Sequence, residues 1–535
     1  MSNVDSIMKE LETTEFPRTD SGNAEMIAAI YGKNVRYDRR KVRWLIWNGN
    51  IWKPEADSLT ISKYAKEVAR KRFKDSLFIE NLDSRKNIVK WAITSESRQK
   101  IDAAVALVKG EYPVKDEGDG WDISPWLFAC ANGIIDLQSG EIRQGRQEDK
   151  ITISSPVKYV PSAKRERWEQ FINEVFEGNV QIIHYIHKAL GYSLTGILKE
   201  QSVFIGHGSG GNGKSILFGA VRYVMGGYAR EAAASTFYKV NNRSNDFELP
   251  ALDGVRLITV AENSESSALD TQRIKRFSGG DPVTAAEKHK NEITFQSVGK
   301  LWMYFNNKPY VNDITIAIWD RLKLIPFNAE FRNTNREDKD LSQKLKVESE
   351  GILAWLVEGC LIWQQEGLKP VPQEVATAVN EYQRENDWLA DFIYQCCEVG
   401  EKKSARAGEL YSAYTSWATR EGYQGKEVKT LTAFGRRITG QYSKLSTEKG
   451  KVYLGIGLKG LSPETDGLEN NSSLDLTGLG QNYVNTRETS SIENKLETPL
   501  NPSFTHENPS GISPSPASAM IKDHEEFLET EVESL

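Results

Sequence analysis

Short apolar runs bounded by glycine or polar residues recur through the middle of the chain. They are Ser202-Val203-Phe204-Ile205, Val255 to Ala261, Lys300-Leu301-Trp302-Met303-Tyr304-Phe305 and Leu322 to Phe327. Runs of about four to eight apolar residues predict strands covered on both faces. Ile216 to Val221, after the first run, reads as a helix. Upstream, Trp168, Phe171, Ile172, Val175 and Phe176 recur at helical spacing and make 165–200 helical. Before that the pattern is mixed. Trp44 to Trp52 predicts two short strands around the Asn48-Gly49 turn, and Ile61 to Lys74 a helix. Asn132 to Glu141 predicts a further strand with turns at both ends. Downstream, 340–366 is helical, Pro370 and Pro372 mark a join, and 387–459 reads as helix, helix, then strands.

These changes of pattern divide the chain. Residues 1–15 are a frayed N-terminus, 16–164 an α+β domain, 165–200 a helical collar and 201–370 an α/β domain. Residues 371–459 form a winged-helix-like domain, and 460–535 a tail rich in Ser, Asn, Pro, Gly and acids that is expected to be disordered. The net charge of −6 argues against a wholly basic nucleic-acid coat and leaves local basic patches to decide any such contact. Lys63, Lys66, Arg70, Lys71, Arg72 and Lys74 make one such helix, either a solvated face or a phosphate contact. Cys130, Cys360, Cys396 and Cys397 form neither a zinc-type pair nor a disulfide framework, as in a reducing, cytoplasmic compartment. His184 and His187 lie three apart but lack a third metal ligand nearby. No apolar run approaches the ~18 residues of a membrane span.

The chemistry concentrates at Gly208-Ser209-Gly210-Gly211-Asn212-Gly213-Lys214-Ser215, which fits G-x-x-x-x-G-K-[ST] between a predicted strand and helix. Glycines let successive N–H groups turn inward as a nest for phosphate oxygens, and the helix start adds its positive dipole end. Lys214 would reach the β- and γ-phosphates of ATP, and Ser215 would hold Mg²⁺. The next apolar run ends in Glu262, placed to hold the metal through water or to polarise the attacking water. Glu265 is a nearby second acid. Asn306, at the end of the third run, suits a sensor of γ-phosphate, and Arg321 precedes the fourth. Its fixed, planar charge suits phosphoryl transfer on a neighbouring subunit. Between these runs, Val283 and Ile293-Thr294-Phe295 flank a hairpin whose tip carries Lys288, His289 and Lys290, a candidate DNA grip. Arg436, Arg437, Lys449 and Lys451 make a second candidate DNA-facing set.

Together with Lys275-Arg276-Phe277-Ser278-Gly279-Gly280-Asp281, Asn306-Asn307-Lys308-Pro309 and Trp319-Asp320-Arg321, these motifs resemble superfamily III helicases. The phage and plasmid primase–helicases, related to the poxvirus primase–helicase, are the most similar. The resemblance spans about residues 16–458 and is most specific over 200–327.

It implies an AAA+-like P-loop core and a hexameric ring that moves along single-stranded DNA at forks. Lys214, Ser215, Glu262, Asn306 and Arg321 match the family's catalytic set, with ATP and Mg²⁺ as cofactors. Partners would be single-stranded and forked DNA, further copies of the chain, and a separate primase or single-strand-binding protein, with no membrane. The chain departs from the family in three places. Asp320 stands where relatives often have a first arginine, and Ala286 where they often have a basic residue. Only a short stretch precedes the shared region, so a primase module is expected to be absent. The expected function is a replicative DNA helicase of a phage, plasmid or other mobile element. The alternatives are a bifunctional primase–helicase and an origin-binding initiator.

Overall fold

The computed structural model describes residues 15–239, 246–261, 268–286, 292–311, 315–423, 425, 428–448 and 450–460. Near the N-terminus, α1 (Asp20–Tyr31) is capped by Thr19, whose hydroxyl accepts the Gly22 N–H at 3.0 Å. Strands β1 (Val35–Asp38), β2 (Arg43–Trp47), β3 (Trp52–Glu55) and β4 (Lys115–Asp116) form a sheet of order β3-β2-β1-β4. The predicted turn is present: Trp47 pairs with Trp52, and the Asn48 side chain accepts the N–H groups of Asn50 and Ile51. Helices α2 (Leu59–Ser76), α3 (Leu82–Ser95) and α4 (Arg98–Leu107) follow, and Ile61, Val68, Ile101 and Val105 join Ala24, Ile27 and Tyr31 in a common core. The basic helix α2 turns part of its charge inward. Buried Arg72 donates to the carbonyls of Phe16, Pro17 and Gly22, Lys71 pairs with Asp75 at 2.8 Å, and Arg70 meets Glu96 at 3.2 Å.

A meander of β5 (Leu127–Cys130), β6 (Gly133–Asp136) and β7 (Glu141–Arg143) leads to α5 (Glu166–Val175) and α6 (Val180–Tyr192). The central sheet uses β8 (Val203–His207), which is followed by α7 (Lys214–Met225) and β9 (Ala229–Ala232). After the short bridge strands β10 (Tyr238–Lys239) and β12 (Ala268–Leu269) come α8 (Thr271–Gly279) and the hairpin β13 (Pro282–Ala286) and β14 (Glu292–Gln296), with β11 (Leu257–Ala261) lying between the bridge strands in sequence. Strand β15 (Lys300–Phe305), the single-turn α9 (Ile316–Trp319) and β16 (Leu322–Pro326) complete it. The order is β16-β8-β15-β11-β9, with every neighbouring pair parallel. Alternate residues serve opposite faces: Phe204, Trp302 and Tyr304 enter one core, and Val203, Ile205, Leu301, Met303 and Phe305 the other. That two-sided burial explains the unbroken apolar runs.

Helices α10 (Leu341–Val347) and α11 (Ser349–Glu366) return to the first of these cores, where α11 crosses α6. The two histidines of α6 are used in this crossing. His184 Nε2 lies 2.7 Å from Glu366, while His187 Nε2 lies 2.6 Å from the Trp355 carbonyl and its ring stacks on Trp355. Burial, with the Trp355 bond opposing it, lowers the His187 pKa to about 4. The unfolded chain therefore binds the extra proton between about pH 6.5 and 4, and His187 favours the native state above that window and loses this contribution as pH falls through it. Relative to His187→Gln, the native protein should lose about 3 kcal/mol between pH 7 and 4. Parallel urea titrations at the two pH values read this difference directly.

At the amino ends of β11 and β15, Arg256 and Lys300 are buried among carbonyls. Arg256 donates to Leu194, Ser124 and Leu127, tying the meander to the sheet, while Lys300 donates to the Thr195 and Val298 carbonyls. Burial holds the Lys300 ammonium well below its ordinary pKa, with Arg256 adding to the effect.

After α12 (Gln373–Glu385), the C-terminal part comprises α13 (Trp388–Cys396), β17 (Cys397–Arg406), α14 (Ala407–Arg420), α15 (Leu431–Thr439), β18 (Lys444–Thr447) and β19 (Gly450–Leu458). Strand β17 departs from the sequence expectation. Its Glu398-Val399-Gly400-Glu401-Lys402-Lys403 stretch lacks an apolar period, and its register comes from pairing with distant β19, where a bulge separates Val399 from Ser404. Cys397 packs in the core of this part, and burial pushes its thiol up to about 12.

Candidate nucleotide site

In a parallel sheet, loops at the carboxyl ends of the strands converge on one edge. Here β8 ends at His207 and the glycine-rich segment turns directly into α7. Gly213 has φ +87°, and a Cβ there would lie 2.7 Å from Val175 and 3.3 Å from Phe171, so α5 packs closely beneath the loop. Only glycine meets both demands. Lys214 starts α7 and folds back under the loop. Its Nζ donates to Gly208 O at 2.8 Å, Asn212 Oδ1 at 2.9 Å and Asn306 Oδ1 at 3.3 Å. Asn212 donates in turn to Phe327 O at 2.9 Å, fastening the loop to the segment after β16. Asn306 is the residue after β15, and its amide oxygen lies 3.6 Å from where a Gly210 Cβ would stand. Residues about a hundred positions apart in sequence thus meet because β15 is the neighbour of β8.

The site is cationic. Burial, followed by the charges of Lys308 and Lys214, lowers the pKa of His207. Lys308 is held against Glu385 at 2.7 Å. The Ser215 side chain is exposed and makes no hydrogen bond among the described residues. Its hydroxyl is thus available as an oxygen ligand near the start of α7. No cluster of three or more His, Cys, Asp or Glu residues able to hold a metal occurs among the described residues.

Glu262 directly follows β11, and both it and Glu265 lie outside the described residues. The hairpin β13–β14 has the flanks the pattern predicted, while its tip residues Lys288, His289 and Lys290 also lie outside. Arg40 donates to the Thr294 carbonyl at 2.6 Å, linking the hairpin's base to the N-terminal sheet region. Arg321 sits before β16, at the amino edge of the sheet and a strand's length from Lys214. Its guanidinium donates to Ala317 O at 2.6 Å and Gln201 Oε1 at 3.0 Å, while Nε is buried without a partner. The sheet therefore does not bring Arg321 to the loop of its own chain. Of the C-terminal set, Arg436 and Lys451 are exposed, and Lys449 lies outside the described residues. Arg437 is largely buried against Asp387 at 2.8 Å, which commits it to packing.

Sequence reasoning missed the part played by the segment after β16. Phe327 N–H donates to His207 O, and Phe331 N–H donates to Gly211 O, both at 2.8–2.9 Å, so this segment runs beside the glycine-rich loop. Its composition carries no motif, and only the β8–β16 pairing brings it there.

A mixed α/β protein built on a parallel sheet, with a glycine-rich loop at its carboxyl edge, is the class these features define. Residues 24–177 match a model described as D5 N terminal like, 384–453 one described as poxvirus D5 protein-like, and 206–317 a family of unknown function. "Putative helicase L207/L206" of Acanthamoeba polyphaga mimivirus is 27% identical over 348 residues, covering 60% of this chain and 36% of that protein. "Putative helicase 022R" of Frog virus 3 is 23% identical over 393 residues, covering 58% and 40%. "Putative primase C962R" of African swine fever virus (isolate Pig/Kenya/KEN-50/1950) is 22% identical over 325 residues, covering 55% and 33%. Among solved structures, the apo NrS-1 C-terminal region is similar at a TM-score of 0.45 and 12% identity, covering 81% of this chain and 100% of that one. Residues 24–177 and 384–453 thus carry D5-type segments, and the chain is similar to proteins named as putative helicases and primases of large DNA viruses. It spans 36–40% of the length of the first two relatives. No helix among the described residues is long and apolar enough to cross a membrane.

Proposed function

We propose that this protein is an ATP-dependent DNA helicase of viral or mobile-element replication, acting as a ring around one strand. The observation that carries this reading is the meeting of Lys214 with Asn306 at the carboxyl edge of a parallel sheet ordered β16-β8-β15-β11-β9. That order sets the phosphate loop beside the strand that ends in a polar amide, as an AAA+-like motor requires. Lys214 binds the β- and γ-phosphates, and Asn306 orients the terminal phosphate or the water that attacks it. Glu262 takes up the water's proton. When bound, Mg²⁺ neutralises charge on the phosphate oxygens, with Ser215 and Glu262 as the protein groups that hold it. Arg321 stands at the opposite edge, where it serves the site of an adjoining subunit. Segment 201–370 is the motor, and 371–459 a winged-helix-like DNA contact through Arg436, Lys449 and Lys451. Lys288, His289 and Lys290 grip the strand as the hairpins move in turn.

The similarity to proteins named as primases keeps a bifunctional reading in view. Strand displacement on forks bearing a 3′ or a 5′ tail, with and without ATP, tests the helicase reading. ATP-dependent unwinding with one tail polarity is expected. ATP binding with site-specific footprinting and no unwinding would instead favour the initiator, and dinucleotide synthesis on a template would favour the primase.

A further inference from the structure

We propose that Arg332 is a phosphate-contacting residue for the nucleotide bound in its own subunit. This rests on the reading of Gly208–Ser215 as a nucleotide site and adds a second cation from the same chain. The segment leaving β16 is fixed to the phosphate loop at three points: Phe327 N–H to His207 O at 2.8 Å, Asn212 Nδ2 to Phe327 O at 2.9 Å and Phe331 N–H to Gly211 O at 2.9 Å. Arg332 follows the last of these. A Cβ on Gly211 would lie 2.7 Å from the Arg332 Cβ and 3.5 Å from its Nε, so the arginine stem runs across that glycine. The left-handed Asn333 (φ +60°), whose N–H donates to Glu337 at 2.9 Å, turns the chain immediately afterwards.

The neighbouring guanidinium groups are engaged elsewhere. Arg336 donates to Glu330 O and lies over the Phe331 ring, and Arg167 faces Glu174 and Asp338. Arg332 is exposed and makes no hydrogen bond or ion pair among the described residues. An unpaired guanidinium laid against a glycine-rich loop that runs into a helix N-terminus meets the chemistry of a di- or triphosphate tail, which it can bind through two parallel hydrogen bonds. Arg321 and Arg332 then divide the work. Arg332 acts within one chain at any protein concentration, and Arg321 only across an assembled interface.

Calorimetric titration of the full chain with ADP and with a non-hydrolysable ATP analogue, each with Mg²⁺, tests this. Arg332→Gln keeps the stem over Gly211 and removes the charge, so affinity for both nucleotides should fall at least tenfold with an unchanged melting temperature. Arg332→Lys should recover part of the loss. Affinity of Arg332→Gln within twofold of the unsubstituted chain would overturn the assignment. If Lys214→Ala also bound both nucleotides normally, the failure would lie in the phosphate-loop reading itself.

Discussion

Lys214→Ala is expected to reduce ATP hydrolysis by at least about a thousandfold while leaving the protein folded. The ammonium is buried beneath the loop, where Gly208 O, Asn212 Oδ1 and Asn306 Oδ1 hold it within 3.3 Å. A charge fixed in such a place needs no reorganisation when negative charge develops on the transferred phosphoryl group, and alanine removes it outright. The loop survives because its shape has other supports: Gly213 seated on α5, Asn212 bonded to Phe327 O, and Gly211 O accepting Phe331 N–H. Steady-state hydrolysis with and without single-stranded DNA, beside a thermal melt, reads both parts. DNA-stimulated hydrolysis near the unsubstituted rate would remove Lys214 from the chemistry. Asn306→Ala, which removes an uncharged group, should cost less, on the order of ten- to a hundredfold in kcat.

A single methyl group should have the largest effect on folding. At the crossing of α6 and α11 the helices touch through glycines: a Cβ on Gly191 would collide with Cys360 N and the Gly359 carbonyl carbon, and one on Gly359 with His187 O. The obstructing atoms are backbone in two packed helices, so neither side can move without parting the core that holds Tyr185, Leu190, Leu353 and Leu356. Gly191→Ala is therefore expected to destabilise by about 3–5 kcal/mol, the upper end of overpacking costs. The same change at Gly219, in the middle of α7 with nothing within 4 Å of a Cβ, should stabilise by about 0.5–1 kcal/mol through helix propensity. Urea unfolding of the two variants compares them. Equal effects would show that the helix crossing is looser than its geometry.

The glycine-rich turn between β8 and α7 was legible before any fold was known because its signal is local. Gly208 to Ser215 specify a turn, a nest and a helix start within eight consecutive residues. Strands β8, β11, β15 and β16 were legible because a parallel sheet buried on both faces needs unbroken apolar runs, whereas β9, Ala229-Arg230-Glu231-Ala232 at the sheet's edge, carries no such run. The hairpin β13–β14 was readable from its flanks and the Asn48-Gly49 turn from its residue types, both short-range signals. Strand β17 was not, since its partner β19 lies some fifty residues away and its own residues are mostly charged or small. The basic run of α2 illustrates the same limit. Periodicity marked a helix, but whether Arg72 faced solvent or the carbonyls of Phe16, Pro17 and Gly22 depended on where the N-terminal segment packs.

What the sequence determined by itself was the glycine-rich loop, the elements on either side of it, and the kinship carried by those motifs. Hydrogen bonds and apolar periods between near neighbours encode these directly. Strand order was decided only in the tertiary structure. That order sets Asn306 against Lys214, sends Arg321 to the opposite edge, commits Arg437 to Asp387 and lays Arg332 across Gly211. Each of these depends on contacts between residues far apart in the chain, whose geometry exists only once the sheet has closed and its two cores have formed.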